Sequence, residues 1–397
     1  LIENDVKLIK WEELEPTDPY YFFVPKDFSL QKKYEKFVKV SEIFKKNSSG
    51  VKTHRDHFLV GFTKNDVIKN IQLFSGEFDS DQIKLSLKLK DTHDWNLKNA
   101  RKEIKEIEWR NFIKKYSYRP FDNRFICYHT SLIDRDRFEL MKNFFNKNLG
   151  LVFRRTAENT IKWNQIFISE NILDINFLSA QTYIFPLFIY YENEKKDLFS
   201  NLENKKTKQP NLNPEILNIL KKVLINQTPL PEQIFYYIYA VLYSNIYREK
   251  YAEFLKIDFP RIPFTSNYDL FIELGKLGQE LADIHLMKSD QLNNTFSRFE
   301  ISGNNIVKKV EYKEDEKHVS INGNQYFSNI EKEIWEYQIG GYQVMHKWLK
   351  DRKGRILTLE DIQHYVKIAK ALQLTIEFQK KIDKLYLKVE KNLIKNH

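Results

Sequence analysis

A segment near the C-terminus combines aromatic rings, paired glycines and cations. It covers residues 335–355, WEYQIGGYQVMHKWLKDRKGR, and five Lys or Arg residues follow the glycines. Gly340 and Gly341 indicate a chain reversal or a very close backbone contact, because glycine is unfavourable inside a helix. Cations contact phosphates while aromatic rings contact bases, so this mixture suits a nucleic acid. The alternative is a buried Trp or Tyr anchor followed by a solvated basic turn.

A second segment has the chemistry of a phosphate cradle. Residues 48–56, SSGVKTHRD, combine a flexible glycine and hydroxyl groups with Lys52, Thr53 and Arg55. Backbone N–H groups and cations of such a loop can surround a phosphate. It is not a Walker A loop, which needs two framing glycines and a Lys-Ser/Thr pair opening a helix, whereas residues 58–62 resemble a strand. The alternative is a turn closed by an ion pair of Arg55 with Asp56 or a neighbour.

Arginines concentrate in a third region. Arg119, Arg124, Arg135 and Arg137 lie in the runs YSYRPFDNRF and SLIDRDRF. Arginine forms bidentate contacts with guanine edges and phosphates, but each of these arginines also has an aspartate nearby, so ion-pair networks that fix loops are an alternative. From charge and placement, the candidate DNA-contacting residues are Lys52, Thr53, Arg55, Arg119, Arg124, Arg135, Arg137, Arg154, Arg155, Lys350, Arg352 and Arg355.

The charge distribution favours a polyanionic partner. The chain has 64 basic and 54 acidic residues, a formal net charge of +10. Positions 101–155 hold fourteen basic and seven acidic residues, and positions 340–397 hold thirteen and six, so the remainder is net acidic. Two basic regions around such a body resemble the walls of a nucleic-acid groove. Solvated lysine-rich helices, or a composition typical of an AT-rich genome, would give similar counts.

Motifs for catalysis or metal binding are absent from the sequence. It lacks a Gly-x-Ser-x-Gly motif, a paired Cys and His, a glycine-rich cofactor loop, an Asn-Pro-Pro-Tyr element and a convincing nuclease carboxylate set. The single cysteine excludes an intrachain disulfide and a cysteine-based zinc cluster, and the nine histidines lack ligand spacing. We therefore predict no catalytic residue, no metal and no cofactor in this chain.

Nothing in the sequence indicates export or a membrane. There is no apolar run long enough to span a bilayer, and the first residues lack a signal-peptide pattern. Cysteine usage fits a reducing cytoplasm, where we expect the protein to act. The first residue is Leu1, so we expect a piece of a longer polypeptide.

The patterns predict an α+β fold with a mixed β-sheet in the N-terminal half and a mainly helical C-terminal half. The predicted strands are Arg124–Tyr128, Gly150–Arg154, Gln165–Ser169 and Tyr183–Tyr191. The predicted N-terminal helices are Gln31–Lys46, Val67–Phe74 with Asp66 as its N-cap, Ile104–Lys115 and Asp136–Asn146.

In the C-terminal half, we predict helices at Pro231–Leu242 and Leu270–Met287, then a β-hairpin of Ile306–Tyr312 and Val319–Tyr326. A long helical pattern follows the N-cap Thr358, and it is either one spacer helix or two antiparallel helices. The predicted divisions are a connector at 1–65, an α+β subdomain at 66–192, a linker at 193–214 and a mainly helical subdomain at 215–397.

Six segments together resemble the C-terminal specificity region of type ISP restriction-modification enzymes. They occur in the family's order and span nearly the whole chain: SGVKTHRD at 49–56, YRPFD at 118–122, FPLFIY at 185–190, YIYAVLY at 237–243, FPRIPF at 259–264, and the glycine-paired run at 339–355. In that family, a helicase or nuclease module and an adenine-specific, S-adenosylmethionine-dependent DNA methyltransferase core precede the recognition region.

The resemblance implies that this chain recognises bases beside a target adenine, which the methyltransferase core extrudes from the duplex. It also implies that the connector follows that core, that S-adenosylmethionine binds there and not here, and that the partners are double-stranded DNA and the upstream modules. The chain departs from the whole enzyme because it lacks the cofactor loop and the Asn-Pro-Pro-Tyr element. The resemblance does not indicate which residues recognise bases.

Three hypotheses follow. The first is a DNA sequence-recognition module without catalysis, whose affinity falls steeply with salt. The second is an enzyme fragment with a cryptic nuclease or phosphate-transfer site, which magnesium-dependent cleavage would reveal. The third is a protein-interaction scaffold that docks on the methyltransferase or helicase module through its helical half, and this role is compatible with the first.

Overall fold

Strands concentrate in the first half of the chain and helices in the second, which confirms the α+β prediction. The structure is a computed structural model that describes residues 28–92, 95–157, 162–191, 207–224 and 227–394. The helices are α1 Phe28–Glu35, α2 Val40–Ile43, α3 Asp56–Leu59, α4 Lys64–Ser75, α5 Ser80–Ser86, α6 Leu97–Lys105, α7 Phe138–Met141, α8 Pro214–Val223, α9 Pro231–Tyr243, α10 Asn245–Lys250, α11 Ala252–Leu255, α12 Tyr268–His285, α13 Lys332–Trp335, α14 Val344–Lys350 and α15 Leu359–Lys391.

Most strands are short. They are β1 Val38–Lys39, β2 Ser48–Ser49, β3 Val60–Gly61, β4 Ile113–Arg119, β5 Asp122–Cys127, β6 Gly150–Arg154, β7 Ile166–Ser169, β8 Ile172–Leu173, β9 Thr182–Pro186, β10 Phe188–Tyr191, β11 Thr207–Pro210, β12 Arg261–Ile262, β13 Phe299–Glu300, β14 Glu311–Lys313, β15 His318–Ser320, β16 Tyr326–Phe327, β17 Gln338–Ile339 and β18 Tyr342–Gln343. Short 3-10 turns lie at Trp109–Phe112, Thr130–Leu132, Lys142–Phe145 and Asp290–Asn293.

Two four-stranded sheets organise the first half. One has the strand order β2-β9-β6-β7 and the other β3-β5-β4-β8. All pairings in them are antiparallel except that of β4 with β8. The inner strand β6 is buried from Gly150 to Phe153, as expected for a strand covered on both faces. The neighbouring ends of β4 and β8 place Arg119 close to the loop that carries Lys52, Thr53 and Arg55.

Helices α9, α12 and α15 form the core of the second half. Helix α9 is almost wholly buried, which its nearly continuous apolar sequence requires. Its Tyr237 ring stacks on Phe271 at 4.6 Å, and the Tyr237 hydroxyl donates to the carbonyl of Pro263 at 2.8 Å. The apolar core is one continuous cluster with residues from both halves of the chain.

The long C-terminal pattern is a single helix, α15. Thr358 is its N-cap, and Thr358 and Asp361 form a reciprocal capping box, as the sequence predicted. At 33 residues, the helix is about 50 Å long. The pairing of the predicted hairpin is also confirmed, because β14 and β15 are antiparallel with Tyr312 opposite Val319. The predicted strands are too long, because residues 306–310 lie before β14 and residues 321–325 separate β15 from β16.

Long-range pairing overrides two predicted helices. The helix predicted over Gln31–Lys46 is wrong beyond Glu35, because Val38 and Lys39 pair with β12. The helix predicted over Ile104–Lys115 is wrong beyond Lys105, because residues from Ile113 onward pair with β5. In both cases the tertiary partner lies outside the local window.

Smaller corrections concern caps and strand breaks. Thr63, not Asp66, is the N-cap of α4, and Asp66 is the third helical residue that completes the capping box. The strand predicted at Tyr183–Tyr191 is interrupted at Leu187 and divides between two sheets. The helix predicted at Asp136–Asn146 is reduced to α7 and a 3-10 turn.

Part of the predicted linker lies outside the described residues, since these exclude positions 192–206. The end of the predicted linker forms strand β11, which lies antiparallel to β10 with Pro210 opposite Phe188. Pro214 then opens α8 in its first turn, where a missing N–H is tolerated.

Candidate nucleic-acid interface

The loop at residues 50–55 is fixed by backbone contacts on both sides. Gly50 lies so close to Asp174 that a Cβ there would be 2.6 Å from the Asp174 carbonyl. Val51 N–H donates to the carbonyl of Leu173 at 2.7 Å. Lys52 exchanges two backbone hydrogen bonds with Arg135, at 3.0 and 3.1 Å. The structure therefore brings Lys52, Thr53 and Arg135 together.

Arg55 holds this loop from inside. Its side chain is buried, forms an ion pair with Asp134 at 2.6 Å and donates to the carbonyl of Thr53 at 2.9 Å. Its guanidinium also lies over the Trp95 ring, 3.9 Å from the centroid. His54 contacts the same aspartate. The ion-pair partner of Arg55 is thus Asp134 and not the adjacent Asp56.

Two arginines meet at Asp122, the first residue of β5 after the turn from β4. Arg124 donates to one Asp122 oxygen at 2.7 Å, and Arg352 donates to the other at 3.1 Å. Burial acts to raise the pKa of Asp122, but Arg352 and Arg124 together lower it to about 2. The carboxylate therefore stays ionised and joins β5 to the segment that follows α14.

Arg119 occupies a similar position on the other side of this turn. It forms an ion pair with Asp174 at 2.7 Å, and both side chains are buried. Asp174 Oδ2 also accepts a hydrogen bond from the Tyr116 hydroxyl at 2.7 Å. A sequence separation of 55 residues hides this partner from the local pattern, in which Asp122 is the nearer aspartate.

Aromatic rings alternate with these guanidinium groups. Tyr118 lies between Arg119 and Arg124, at 3.9 and 3.8 Å from its centroid. Arg124 also contacts Phe62 at 4.1 Å, and Arg355 contacts the same ring at 4.0 Å. Arg352 lies 3.4 Å from the Trp348 centroid. We call this set, without the exposed Arg355, the arginine ladder; its members are Arg119, Tyr118, Arg124, Phe62, Arg352 and Trp348.

The ladder joins distant parts of the chain into one rigid surface. Stacked guanidinium groups gain cation–π attraction and lose little freedom on forming further hydrogen bonds. Arg119, Arg124 and Arg352 are largely buried, so in this structure they position neighbouring segments. This is the ion-pair alternative that the nearby aspartates raised. Direct DNA contact by these three arginines stays a prediction.

The paired glycines place the C-terminal segment against the loop after β8. Gly340 has φ +63°, and a Cβ there would lie 2.7 Å from the carbonyl oxygen of Leu178. Gly341 N–H donates to that carbonyl at 3.2 Å. The glycines thus make both a chain reversal, between β17 and β18, and a close contact. The Trp anchor is also present, because Trp348 is buried.

Two groups of cations flank the ladder. The first, the loop cations, comprises Lys52, Arg135 and Arg137, and Arg137 Nε donates to Ser49 at 3.1 Å. The second, the turn cations, comprises the exposed Lys350, Lys353 and Arg355. Within the described part of the chain, neither group forms an ion pair. Their positive charge is therefore available to a partner.

Arg154 and Arg155 do not join these groups. Arg154 ends β6 opposite Thr182, and its side chain has no ion-pair partner among the described residues. Arg155 is exposed and pairs with Asp258 at 2.8 Å, a carboxylate that also binds Lys39. The ion pair with Asp258 raises the pKa of Arg155. DNA contact by Arg154 or Arg155 stays a prediction.

Sequence reasoning missed several features of this surface. A polar cleft of about 290 Å³ lies between residues 52–57 and 174–176, and Asn176 was never a candidate. Two exposed rings, Phe138 and Phe145, also lie 6.1 Å apart beside Lys114. Their positions depend on how the predicted Asp136–Asn146 helix divides into α7 and a 3-10 turn, and Phe138 directly follows the Arg135–Arg137 run.

No three His, Cys, Asp or Glu side chains of the described residues converge as a metal site. Among the same residues, no helix is both long and apolar enough to cross a membrane. What the surface offers is positive charge, aromatic rings and a polar cleft, which together suit a nucleic acid.

Residues 42–381 match the Type ISP C-terminal specificity domain. This match covers most of the chain. The chain belongs to that family. The sequence resemblance is therefore confirmed, and the loop at residues 50–55, the arginine ladder and the turn cations all lie inside the matched range. No curated protein sequence matches this chain.

Three solved structures share the fold of the specificity domain. One is the ATP-dependent Type ISP restriction-modification enzyme LlaBIII bound to DNA, with 19% identity and a TM-score of 0.67 over 88% of this chain and 24% of that one. Another is a nuclease-deletion mutant of the Type ISP restriction-modification enzyme LlaGI in complex with a DNA substrate mimic, with 19% identity and a TM-score of 0.64 over 94% and 30%.

The third is the DrdV–DNA complex, with 17% identity and a TM-score of 0.69 over 96% of this chain and 41% of that one. The specificity domain thus spans about a quarter to two fifths of the length of these proteins. At this level of identity the likeness establishes the fold, while the role of each residue rests on the geometry above.

Proposed function

We propose that this chain is the part of an adenine-methylating restriction-modification enzyme that recognises the DNA sequence. The observation that carries the proposal is that the loop cations and the turn cations form no ion pair within the described chain, although their segments are fixed. Backbone pairing of Lys52 with Arg135 fixes the first group, and the arginine ladder fixes the second. Cations on a rigid scaffold fix the register of a duplex, so that neighbouring polar groups can recognise base edges.

The two kinds of cation have different roles in this proposal. Arg119, Arg124 and Arg352 are buried and hold the protein side of the interface together. The loop and turn cations contact phosphates, and each contact displaces condensed counterions from the duplex. Six such contacts give a slope of about −5 for the logarithm of affinity against the logarithm of salt concentration.

The remaining functions of the enzyme belong to other parts of the polypeptide. In our proposal, an upstream methyltransferase core binds S-adenosylmethionine and extrudes the target adenine, because a base inside a duplex is inaccessible to chemistry. Helicase or nuclease modules of the same polypeptide complete the enzyme, which acts in the cytoplasm. The chain described here supplies recognition and no catalytic group.

A selection from random duplexes tests this proposal. The chain is mixed with a pool of random duplex DNA at low and at physiological salt, and the recovered fragments are sequenced. We expect enrichment of a short motif that persists at the higher salt. Motif-free binding at low salt only would contradict autonomous recognition and would mean that the methyltransferase core completes the groove. Magnesium-dependent cleavage of the pool would favour the cryptic-enzyme hypothesis instead.

A matched pair of variants separates the interface from general charge. Replacing Lys350, Lys353 and Arg355 with Gln should weaken binding at every sequence in the pool. The control replaces Lys380, Lys384 and Lys388 on α15, which are also exposed and form no ion pair with a described residue. Equal losses in the two triple variants would show that only net charge matters.

A further inference from the structure

The polar cleft between residues 52–57 and 174–176 offers groups that the phosphate contacts do not use. Its volume of about 290 Å³ is close to the lower end of the usual range for small-ligand sites, about 300–1,000 Å³. It lies beside the loop cations, because Lys52 lines it and is bonded through its backbone to Arg135. The inference that follows rests on the proposed function.

The floor of the cleft is acidic and rigid. Thr53 and Asp174 are each 2% exposed. Asp174 is held by Arg119 and by the Tyr116 hydroxyl, and its Oδ1 accepts the backbone N–H of Asn176 at 2.7 Å. Asp56 accepts a hydrogen bond from the Thr53 hydroxyl and faces the Tyr118 hydroxyl at 3.3 Å. These contacts leave lone pairs of the Asp56 carboxylate for another donor.

The rim carries polar groups with unused capacity. The Lys52 ammonium and the Asn176 carboxamide have no partner among the described residues. His57 uses one ring nitrogen on the carbonyl of Leu87, at 2.9 Å, and His54 uses one on Asp134. The second nitrogen of each ring is therefore available, since an imidazole has two.

The charges decide which part of DNA fits. Arg119 neutralises Asp174, so Asp56 is the lining carboxylate that has no ion-pair partner among the described residues, and a phosphate placed beside Asp56 would be repelled. An amino group on a base would instead meet acceptors. Aspartate accepts from the cytosine amino group, and an asparagine amide both accepts from and donates to adenine. Guanine O6 and thymine O4, which are acceptors, would face the Asp56 oxygens unfavourably.

We propose that the polar cleft binds the amino-bearing edge of one base, adenine or cytosine, through Asp56 and Asn176. Lys52 lies on the rim and contacts the phosphate of that nucleotide. The cleft therefore determines one position of the recognised sequence, while the loop and turn cations bind every sequence alike.

Two substitutions test this role by selection from random duplexes. Asn176→Ala removes an exposed side chain with no protein partner in the described chain, so the fold should be unaffected. We expect one position of the motif to lose its preference by about tenfold, while the other positions keep theirs. Asp56→Asn keeps the shape but adds an amide donor, and should shift that position towards guanine or thymine.

Asn324→Ala is the matched control. Asn324 is an exposed asparagine in the other half of the chain, on the turn before β16. It should leave the motif unchanged. An unchanged motif in Asn176→Ala and Asp56→Asn would overturn the cleft proposal while leaving the proposed function intact. A uniform loss at all positions, together with a lower melting temperature, would reduce the cleft to a structural element and would also overturn the proposal.

A second measurement does not depend on specific DNA binding by the isolated chain. The ring protons of His54 and His57 are followed by NMR during titration with 9-methyladenine, 1-methylcytosine or 1-methylthymine. We expect saturable shifts with the first two bases, weaker shifts with the third, and loss of the preference in Asp56→Asn. Absent shifts, or equal shifts for all three bases, would overturn the cleft proposal even where the selection enriches no motif and the proposed function fails.

Discussion

Replacing Asp122 with asparagine should uncouple the two segments that the arginine ladder joins. The substitution keeps the size of the side chain but removes the negative charge between Arg124 and Arg352. Both arginines are largely buried, so each would lack its closest counter-charge in a region that excludes water. The ion pairs that remain among the described residues are longer, from Arg124 to Asp351 at 3.6 Å and from Arg352 to Asp361 at 3.5 Å, while Arg352 keeps its hydrogen bond to the Trp348 carbonyl at 3.1 Å.

The size of the effect follows from the pKa of Asp122. Burial raises this pKa, but the two arginines bring it to about 2, below its ordinary value of 3.8. That difference corresponds to about 2.5 kcal/mol in the free energy of unfolding. Breaking a buried ion pair typically costs about 3–5 kcal/mol, and the two longer contacts should moderate the loss. We therefore expect a loss of about 3 kcal/mol at pH 7.

Urea unfolding followed by tryptophan fluorescence measures this loss. With a slope of about 3 kcal/mol/M, the transition midpoint should fall by about 1 M. Asp315→Asn is the matched control, because Asp315 is exposed between β14 and β15. The difference in transition midpoint between wild type and Asp122→Asn should persist above pH 3.8 and shrink as pH falls towards 2. The reason is that the pKa of Asp122 is lower in the folded state than in the unfolded state. A midpoint no lower than that of Asp315→Asn, or a difference that does not depend on pH in this window, would refute the reasoning.

Three other predictions follow from the same geometry. Replacing Arg135 with Gln should reduce the magnitude of the salt slope by about one unit, measured by fluorescence anisotropy, whereas Lys384→Gln on α15 should leave the slope unchanged. Gly340→Ala should lower the free energy of unfolding by more than about 2 kcal/mol, since its φ is +63° and the added Cβ would meet the Leu178 carbonyl. Gly354→Ala is the control, because its φ is +80° but nothing lies within 4 Å of the added Cβ. It should cost about 1 kcal/mol in the same urea assay. Burial lowers the pKa of His285 to about 3 from 6.5, so the chain should lose about 2 kcal/mol between pH 8 and pH 5, and His285→Gln should flatten that dependence in urea titrations.

Local patterns predicted the elements whose signal is complete within a short window. Thr358 and Asp361 specify the start of α15, and charged residues between two alternating runs specify the β14–β15 hairpin. The paired glycines indicated a turn or a close contact, and the structure has both, because only glycine fits the backbone at residue 340. In each case the cause is local sterics or a capping bond.

The remaining features depend on partners far away in the sequence. Val38 is in a strand because of Ile262, and Arg119 pairs with Asp174 instead of the nearby Asp122. Charge counts cannot separate a buried arginine such as Arg55 from an exposed one such as Arg135, because burial depends on the tertiary fold. Asn176 gave no signal at all, since an isolated asparagine is common on any surface.

Equilibrium binding against salt, for a selected sequence and its scrambled counterpart, tests the central claim most directly. The claim is that the chain recognises a DNA sequence from a rigid surface whose cations contact phosphates. We expect both duplexes to show a slope of about −5, with the selected sequence bound at least about a thousandfold more tightly at physiological salt. Equal affinity for the two duplexes, or an affinity that does not change with salt, would contradict the claim.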